Sequence, residues 1–187
     1  MDDKTLVLQI KKGNSHAFEF LVSKYQKLVF HMIWKMGISE SDVEDVAQEI
    51  FIKIYQQLDS FRMESKLSTW IASVAWRYAV DFLRKKKVFF TEYDDIVEGQ
   101  NASLFVVDDI LSNIELSERR ELVSAALTQL SPKDQTLMNL FYLEEFSYNE
   151  ISEITELPLG SVKSALSRAR SRLKEKVDRV YDKEFSK

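Results

Sequence analysis

The chain contains no cysteine. Disulfides and thiolate metal sites are therefore excluded, which fits a reducing compartment. Histidine is nearly absent too: only His16 and His31 occur. A zinc site would need carboxylates to complete it, so no metal or cofactor is expected. Glycine numbers 4 and proline 2 in 187 residues. So few chain breakers argue for an all-α fold. No apolar run is long enough to span a bilayer, and the opening Met-Asp-Asp-Lys lacks signal-peptide character. The expected location is the cytoplasm.

What is present suffices for a packed core. Apolar residues make up 45% of the chain, and its length suits one domain or two small ones. The net charge of −4 is unevenly spread. Residues 1–87 carry +3, residues 88–115 carry −7 with no base at all, and residues 116–187 are neutral. Two helical domains, 1–87 and 116–187, joined by an acidic linker, 88–115, are the expected organisation. The cations gather at Arg84–Lys87 and Lys163–Lys176, and local field decides where a polyanion can sit.

The apolar spacing predicts the helices in turn. A short one over residues 4–12 stops at Gly13-Asn14, with Ser15 as a cap for the next. From Phe18 through Leu21, Tyr25, Leu28, Met32 and Met36 the spacing is helical until Gly37. Ser39 or Ser41 caps a further helix whose core stripe is Val43, Val46, Ala47, Ile50, Phe51, Ile54, Tyr55 and Leu58. The opposite face holds Asp45, Gln48 and Glu49, with Ile52 in their midst. Ile52 is either an isolated surface residue or an apolar anchor inside a polar rim, the layout of a protein-binding patch. After a loop at 59–66, Ser68 or Thr69 caps a helix that carries Trp70, Ile71, Val74, Tyr78 and Leu83 and ends in cations. Those cations either favour the helix dipole or, with Arg62, Lys66, Arg77, Phe61, Trp70 and Trp76, suit single-stranded nucleic acid, where bases stack and phosphates pair. The linker has no sustained period beyond a brief helix near Leu104–Leu111. Ser131-Pro132 marks a strong helix start.

Residues Ser147–Leu173 read as a helix-turn-helix. Tyr148, Ile151, Ile154 and Leu157 line one side of a short helix. Pro158 and Gly160 break the pattern, with Gly160 relieving the turn and Ser161 as the next cap. In the second helix Val162, Leu166, Ala169, Leu173 and Val177 point inward. Lys163, Ser164, Ser167, Arg168, Ser171 and Lys174 point outward. Small hydroxyls and cations suit close approach to duplex DNA; the bland alternative is a solvated basic face.

Three stretches in this order resemble bacterial RNA polymerase sigma factors. Asp45-Val46-Ala47-Gln48-Glu49-Ile50-Phe51 is similar to the D-x-x-Q-E-x-F signature of that family. Leu67-Ser68-Thr69-Trp70-Ile71-Ala72, with Asp81-Phe82-Leu83-Arg84-Lys85, resembles the segment that follows it. Leu130 through Arg170 resembles the final DNA-binding domain. Two domains alone point to the extracytoplasmic-function subgroup. The resemblance implies that Asp45, Gln48 and Glu49, with Ile52 added on its position, bind the clamp helices of the polymerase largest subunit. It implies that Phe61, Arg62, Lys66, Ser68, Thr69, Trp70, Trp76, Arg77, Arg84, Lys85 and Lys86 read and hold the melted downstream promoter element. It implies that Ser161, Lys163, Ser164, Ser167 and Arg168 meet the upstream element as duplex, with Arg170 nearer the flanking phosphates. An anti-sigma factor is a further implied partner. Similar proteins often carry Arg at the position of Ala165, so a contact is expected to be weaker here. The acidic linker is either a nucleic-acid mimic within a polymerase channel or simply a soluble tether.

Two rivals stand beside this. A stand-alone helix-turn-helix regulator leaves the Asp45, Gln48 and Glu49 face unexplained. A metal-dependent nuclease built on Asp42, Asp45 and Glu49 lacks a His, Lys or Ser partner at a catalytic spacing.

Overall fold

The computed structural model describes residues 2–86 and 116–185. The expected linker helix near Leu104–Leu111, and Lys87 at the end of the basic run, lie outside these residues. All regular structure among the described residues is helical. The N-terminal module consists of α1 (Asp3–Lys11), α2 (Ser15–Lys35), α3 (Glu40–Gln57) and α4 (Leu67–Lys85). The C-terminal module consists of α5 (Leu116–Leu127), α6 (Pro132–Met138), α7 (Tyr148–Thr155) and α8 (Leu159–Phe185).

Local chemistry sets each boundary. Asn14, not Ser15, caps α2: its side chain accepts from the backbone N–H of Ala17. Gly37 ends that helix at φ 87°, a region that costs other residues dearly. Ser39 precedes α3, but its hydroxyl bonds to the Asp42 carboxylate rather than to the backbone. Lys66 is the residue before α4, so Ser68 and Thr69 fall inside its first turn and cap nothing. Ser131 accepts from Asp134 N–H and Pro132 opens α6, as its fixed φ favours. A π-turn over Asn139–Leu143 follows. Ser147 and Glu150 form a reciprocal capping box that starts α7.

The break between the last two helices is made differently from the sequence expectation. Glu156 takes the left-handed conformation, at φ 59°, that ends α7. Gly160 and Ser161 already belong to α8, whose first described turn closes with Val162 N–H donating to the Pro158 carbonyl. Gly160 therefore relieves no turn, and Ser161 is not its cap. The inward stripe of α8 is as expected: Val162, Leu166, Ala169, Leu173 and Val177 are all buried.

The two modules share one continuous apolar core. Within the first, α2 packs on α1, α3 and α4; within the second, α5, α6 and α7 pack on α8. Between them, α4 lies along α7, and α2 meets α6 and the π-turn. Pro132 sits 3.7 Å from where a side chain on Gly37 would begin. Polar contacts line the same seam: His31 Nδ1 lies 3.4 Å from the Glu144 carboxylate, and ion pairs join Lys66 to Glu150 at 2.9 Å and Arg77 to Glu156 at 3.8 Å.

Candidate polymerase and nucleic-acid surfaces

The outward arc of α3 is the first candidate surface. Asp45, Gln48 and Glu49 are exposed on it. Ile52 is 48% exposed between them and Phe51 is buried in the core. Tyr55, expected in the core, is instead 54% exposed and packs edge-on against Phe18 at 4.9 Å. Helical spacing alone puts Tyr55 on the buried stripe, and its ring does lie against Phe18 there. What the spacing missed is how far the phenol reaches past it into water. The patch thus has two apolar members, Ile52 and Tyr55, within a polar rim.

Asp42, named with Asp45 and Glu49 in the nuclease alternative, is engaged elsewhere. The Lys86 ammonium lies 2.7 Å away and, together with the Ser39 hydroxyl, lowers the Asp42 pKa. This pair ties the start of α3 to the end of α4. Among the described residues no three metal-ligating side chains converge.

The α4 region is the second surface. Lys11 Nζ donates to the carbonyls of Asp59 and Phe61, at 3.0 and 3.2 Å, and so anchors the loop before α4. Phe61 is buried and its ring lies 5.2 Å from that of Trp70. Trp76 is buried as well. Arg62, Lys66, Arg77, Arg84, Lys85 and Lys86 are exposed, and Ser68 and Trp70 are half-buried. Thr69 is fully buried and its hydroxyl donates to Glu150 at 3.3 Å. The α4 stripe of Lys66, Thr69 and Arg77 therefore faces carboxylates of α7 and its cap.

Glu150 is the hub of that contact. Burial alone would raise its pKa. The Ser147 backbone N–H, the Ser147 hydroxyl and the Lys66 ammonium outweigh burial and hold the carboxyl at about 2. One side chain thus caps a helix and joins two modules. No sequence pattern announced the second role, because Lys66 and Glu150 are remote in sequence and meet only in the folded chain.

The N-terminal half of α8 is the third surface. Lys163 is exposed, and Ser161, Ser164, Ser167 and Arg168 are half-buried at its margin. Arg170 is turned toward an aromatic cluster. Its guanidinium donates to the hydroxyls of Tyr142 and Tyr148, at 2.7 and 3.0 Å, and stacks 5.2 Å from the Phe141 ring. Burial pulls its pKa down, but the two hydroxyls prevail and raise it. Arg170 braces the π-turn against α7 and α8. Ala165 is buried, with its methyl against the core.

Fold and surfaces together define a two-module helical protein with exposed apolar side chains in a polar rim on one module and a helix-turn-helix on the other. Sigma-70 region 2 matches residues 21–88, and Sigma-70 region 4 matches residues 120–173. ECF RNA polymerase sigma factor SigW of Bacillus subtilis is 29% identical over 182 residues, covering 93% of this chain and 96% of that protein. ECF RNA polymerase sigma-E factor of Escherichia coli K12 is 34% identical over 182 residues, 95% of each chain. Among solved structures, CnrH in complex with the cytosolic domain of CnrY has a TM-score of 0.64 at 22% identity, covering 95% of this chain and 97% of that one. The sigma factor RpoE in complex with the anti-sigma factor NepR, from Bartonella quintana, has a TM-score of 0.61 at 21% identity, covering 86% and 96%. The chain belongs to the sigma-70 family of bacterial RNA polymerase sigma factors, in its extracytoplasmic-function group. It is a transcription initiation factor that binds polymerase core and promoter DNA. None of its described helices is long and apolar enough to cross a membrane.

Proposed function

We propose that residues 1–87 grip polymerase and the melted downstream promoter element, that residues 116–187 read the upstream element as duplex, and that residues 88–115 tether them. The patch of Asp45, Gln48, Glu49, Ile52 and Tyr55 on α3 docks on the clamp helices of the largest polymerase subunit. The observation that carries this assignment is the exposed Ile52 inside a ring of polar side chains, on a helix whose other face buries Val46, Ala47, Ile50, Phe51 and Ile54. Arg62, Lys66, Arg77, Arg84, Lys85 and Lys86 supply phosphate contacts to the separated strand, and the half-buried Trp70, backed by the buried Phe61, supplies stacking surface. On α8, Lys163, Ser164, Ser167 and Arg168 meet duplex DNA, while Arg170 keeps the helix braced. The protein performs no covalent chemistry, acts in the cytoplasm, and takes an anti-sigma factor as a further partner, as the RpoE of Bartonella quintana does.

This assignment has a mechanical consequence. Lys66 and Thr69 both bind Glu150, so α7 occupies part of the α4 face assigned to the promoter strand. Strand capture requires α7 to leave α4. Tethering to polymerase supplies the effective concentration that lets two weak DNA-binding modules act together once parted.

Gln48→Ala combined with Glu49→Ala tests the docking patch. Both side chains are exposed, so the helical content is expected to stay unchanged while copurification with core polymerase and promoter-dependent transcription are lost. Full core binding by this variant refutes the patch.

A further inference from the structure

The helix α8 turns a second basic face away from the one assigned to duplex DNA. At roughly 100° per residue, Arg172, Lys176 and Arg179 lie about 160 to 220° round the helix from Lys163. They border a groove of about 430 Å³ whose other wall is the start of α6. Five cations line this groove against two carboxylates, Asp134 and Glu175.

Not all of that charge is on offer. Lys133 is 7% exposed, and Arg168 has contacts of its own. Asp134 is 2% exposed and accepts from Arg172 Nη1 at 2.7 Å. That bond sets the Arg172 guanidinium at the groove while more than half of its side chain stays in water. Arg179 is exposed and Lys176 half-buried. The groove therefore presents a partly pre-set cationic cluster, which Glu175 weakens without cancelling.

The chain itself carries a segment of matching charge. Residues 88–115 hold seven carboxylates and no Lys or Arg. They end directly before α5, and α5 packs on α8. Gln129 and Leu130, just past the other end of α5, line the groove. Asp109, paired with Asp108, lies seven residues before Leu116, a stretch that spans at most about 25 Å. The 12 residues of α5 measure about 18 Å. The two aspartates can thus reach the groove from either end of α5. Exposed ion pairs are individually weak, so an untethered acidic peptide gains little there. Covalent connection raises the effective concentration to the order of millimolar.

We propose that in the free chain this groove holds the acidic segment 88–115, with Asp108 and Asp109 set against Lys176 and Arg179. The inference goes beyond the assignments above and does not depend on them, since it concerns cations that they leave unused.

The test is zero-length carbodiimide coupling on the full chain, without polymerase or DNA, read by peptide mass spectrometry. Equal parts of unlabelled and heavy-nitrogen-labelled chain separate coupling within one molecule from coupling between two. Lys176 is expected to join Asp108 or Asp109 within one chain, in several-fold greater yield than Lys163 does. Accessibility alone would favour Lys163, which is exposed where Lys176 is half-buried. Raising the salt from about 50 to about 500 mM is expected to cut the Lys176 yield several-fold. Arg179→Glu, at an exposed position, is expected to cut it several-fold as well, with thermal melting unchanged. Arg179→Lys keeps the charge and is expected to add a second product on the same aspartates. Equal yields at Lys163 and Lys176 would mean that the segment merely brushes the surface, and would overturn the proposal. Products found only between labelled and unlabelled chains would overturn it too, since the groove would then hold a second copy. So would the absence of any product joining Lys176 to residues 88–115. A Lys176 yield that survives Arg179→Glu would show that the cationic groove is not what holds the aspartates.

Discussion

Asn139 is the residue most at odds with its surroundings. Its side chain is buried, at 4% exposure, and neither amide atom has a hydrogen-bond partner among the described residues. A buried, unsatisfied polar group costs on the order of 1–3 kcal/mol. Asn139→Leu is therefore expected to stabilise the chain by about 1 kcal/mol in urea denaturation at neutral pH, since leucine has similar bulk and needs no partner. A loss of stability would mean that the amide bonds to something essential. Arg170 illustrates the opposite case. In the sequence it lies on the flank of a basic helix, which points it toward phosphate. In the fold its guanidinium is oriented by Tyr142 and Tyr148, which no local pattern connects to it. Single residues were legible in the sequence where periodicity decides burial, as for Ile52 and Phe51, and illegible where a remote partner decides orientation.

Elements were legible wherever breakers and caps are local. Ser131-Pro132 announced α6, and the stripe from Val162 to Val177 announced the buried side of α8. The caps of α2, α4 and α8 were misplaced by one to three residues, because Ser and Thr compete with Asn14 and with plain backbone starts for the same job. The capping box of α7 carries a prediction. Glu150 titrates at about 2 in the folded chain against an ordinary 4.5. A lowered carboxyl contributes stability that is complete above its unfolded pKa and is lost as pH falls through the folded one. The wild-type chain should therefore lose stability steadily from about pH 4.5 toward 2. Glu150→Gln should be less stable at pH 7 and show a shallower loss across that window. Denaturant titrations at pH 7 and pH 3 measure both quantities. Parallel acid limbs in the two proteins would contradict the role given to Glu150.

At the scale of the whole molecule, the sequence predicts two helical domains joined by an acidic linker and leaves open how they meet; the structure packs the two modules around one core. The sequence concealed this because both sides of the seam look ordinary alone: an amphipathic α4, a capped α7, and ion pairs formed between distant residues. The surface assigned to the promoter strand is the surface that α7 covers, so the account stands on the modules parting in the working complex. The absence of cysteine makes the separation measurable, since two introduced thiols are the only sites for labels. Asp81→Cys on α4 and Asn149→Cys on α7 are both at exposed positions. Energy transfer between dyes on them is expected to be high in the free protein and to fall sharply when core polymerase and promoter DNA form a transcribing complex. High transfer persisting in a complex that makes transcripts would show that α7 never leaves α4, and would contradict the account.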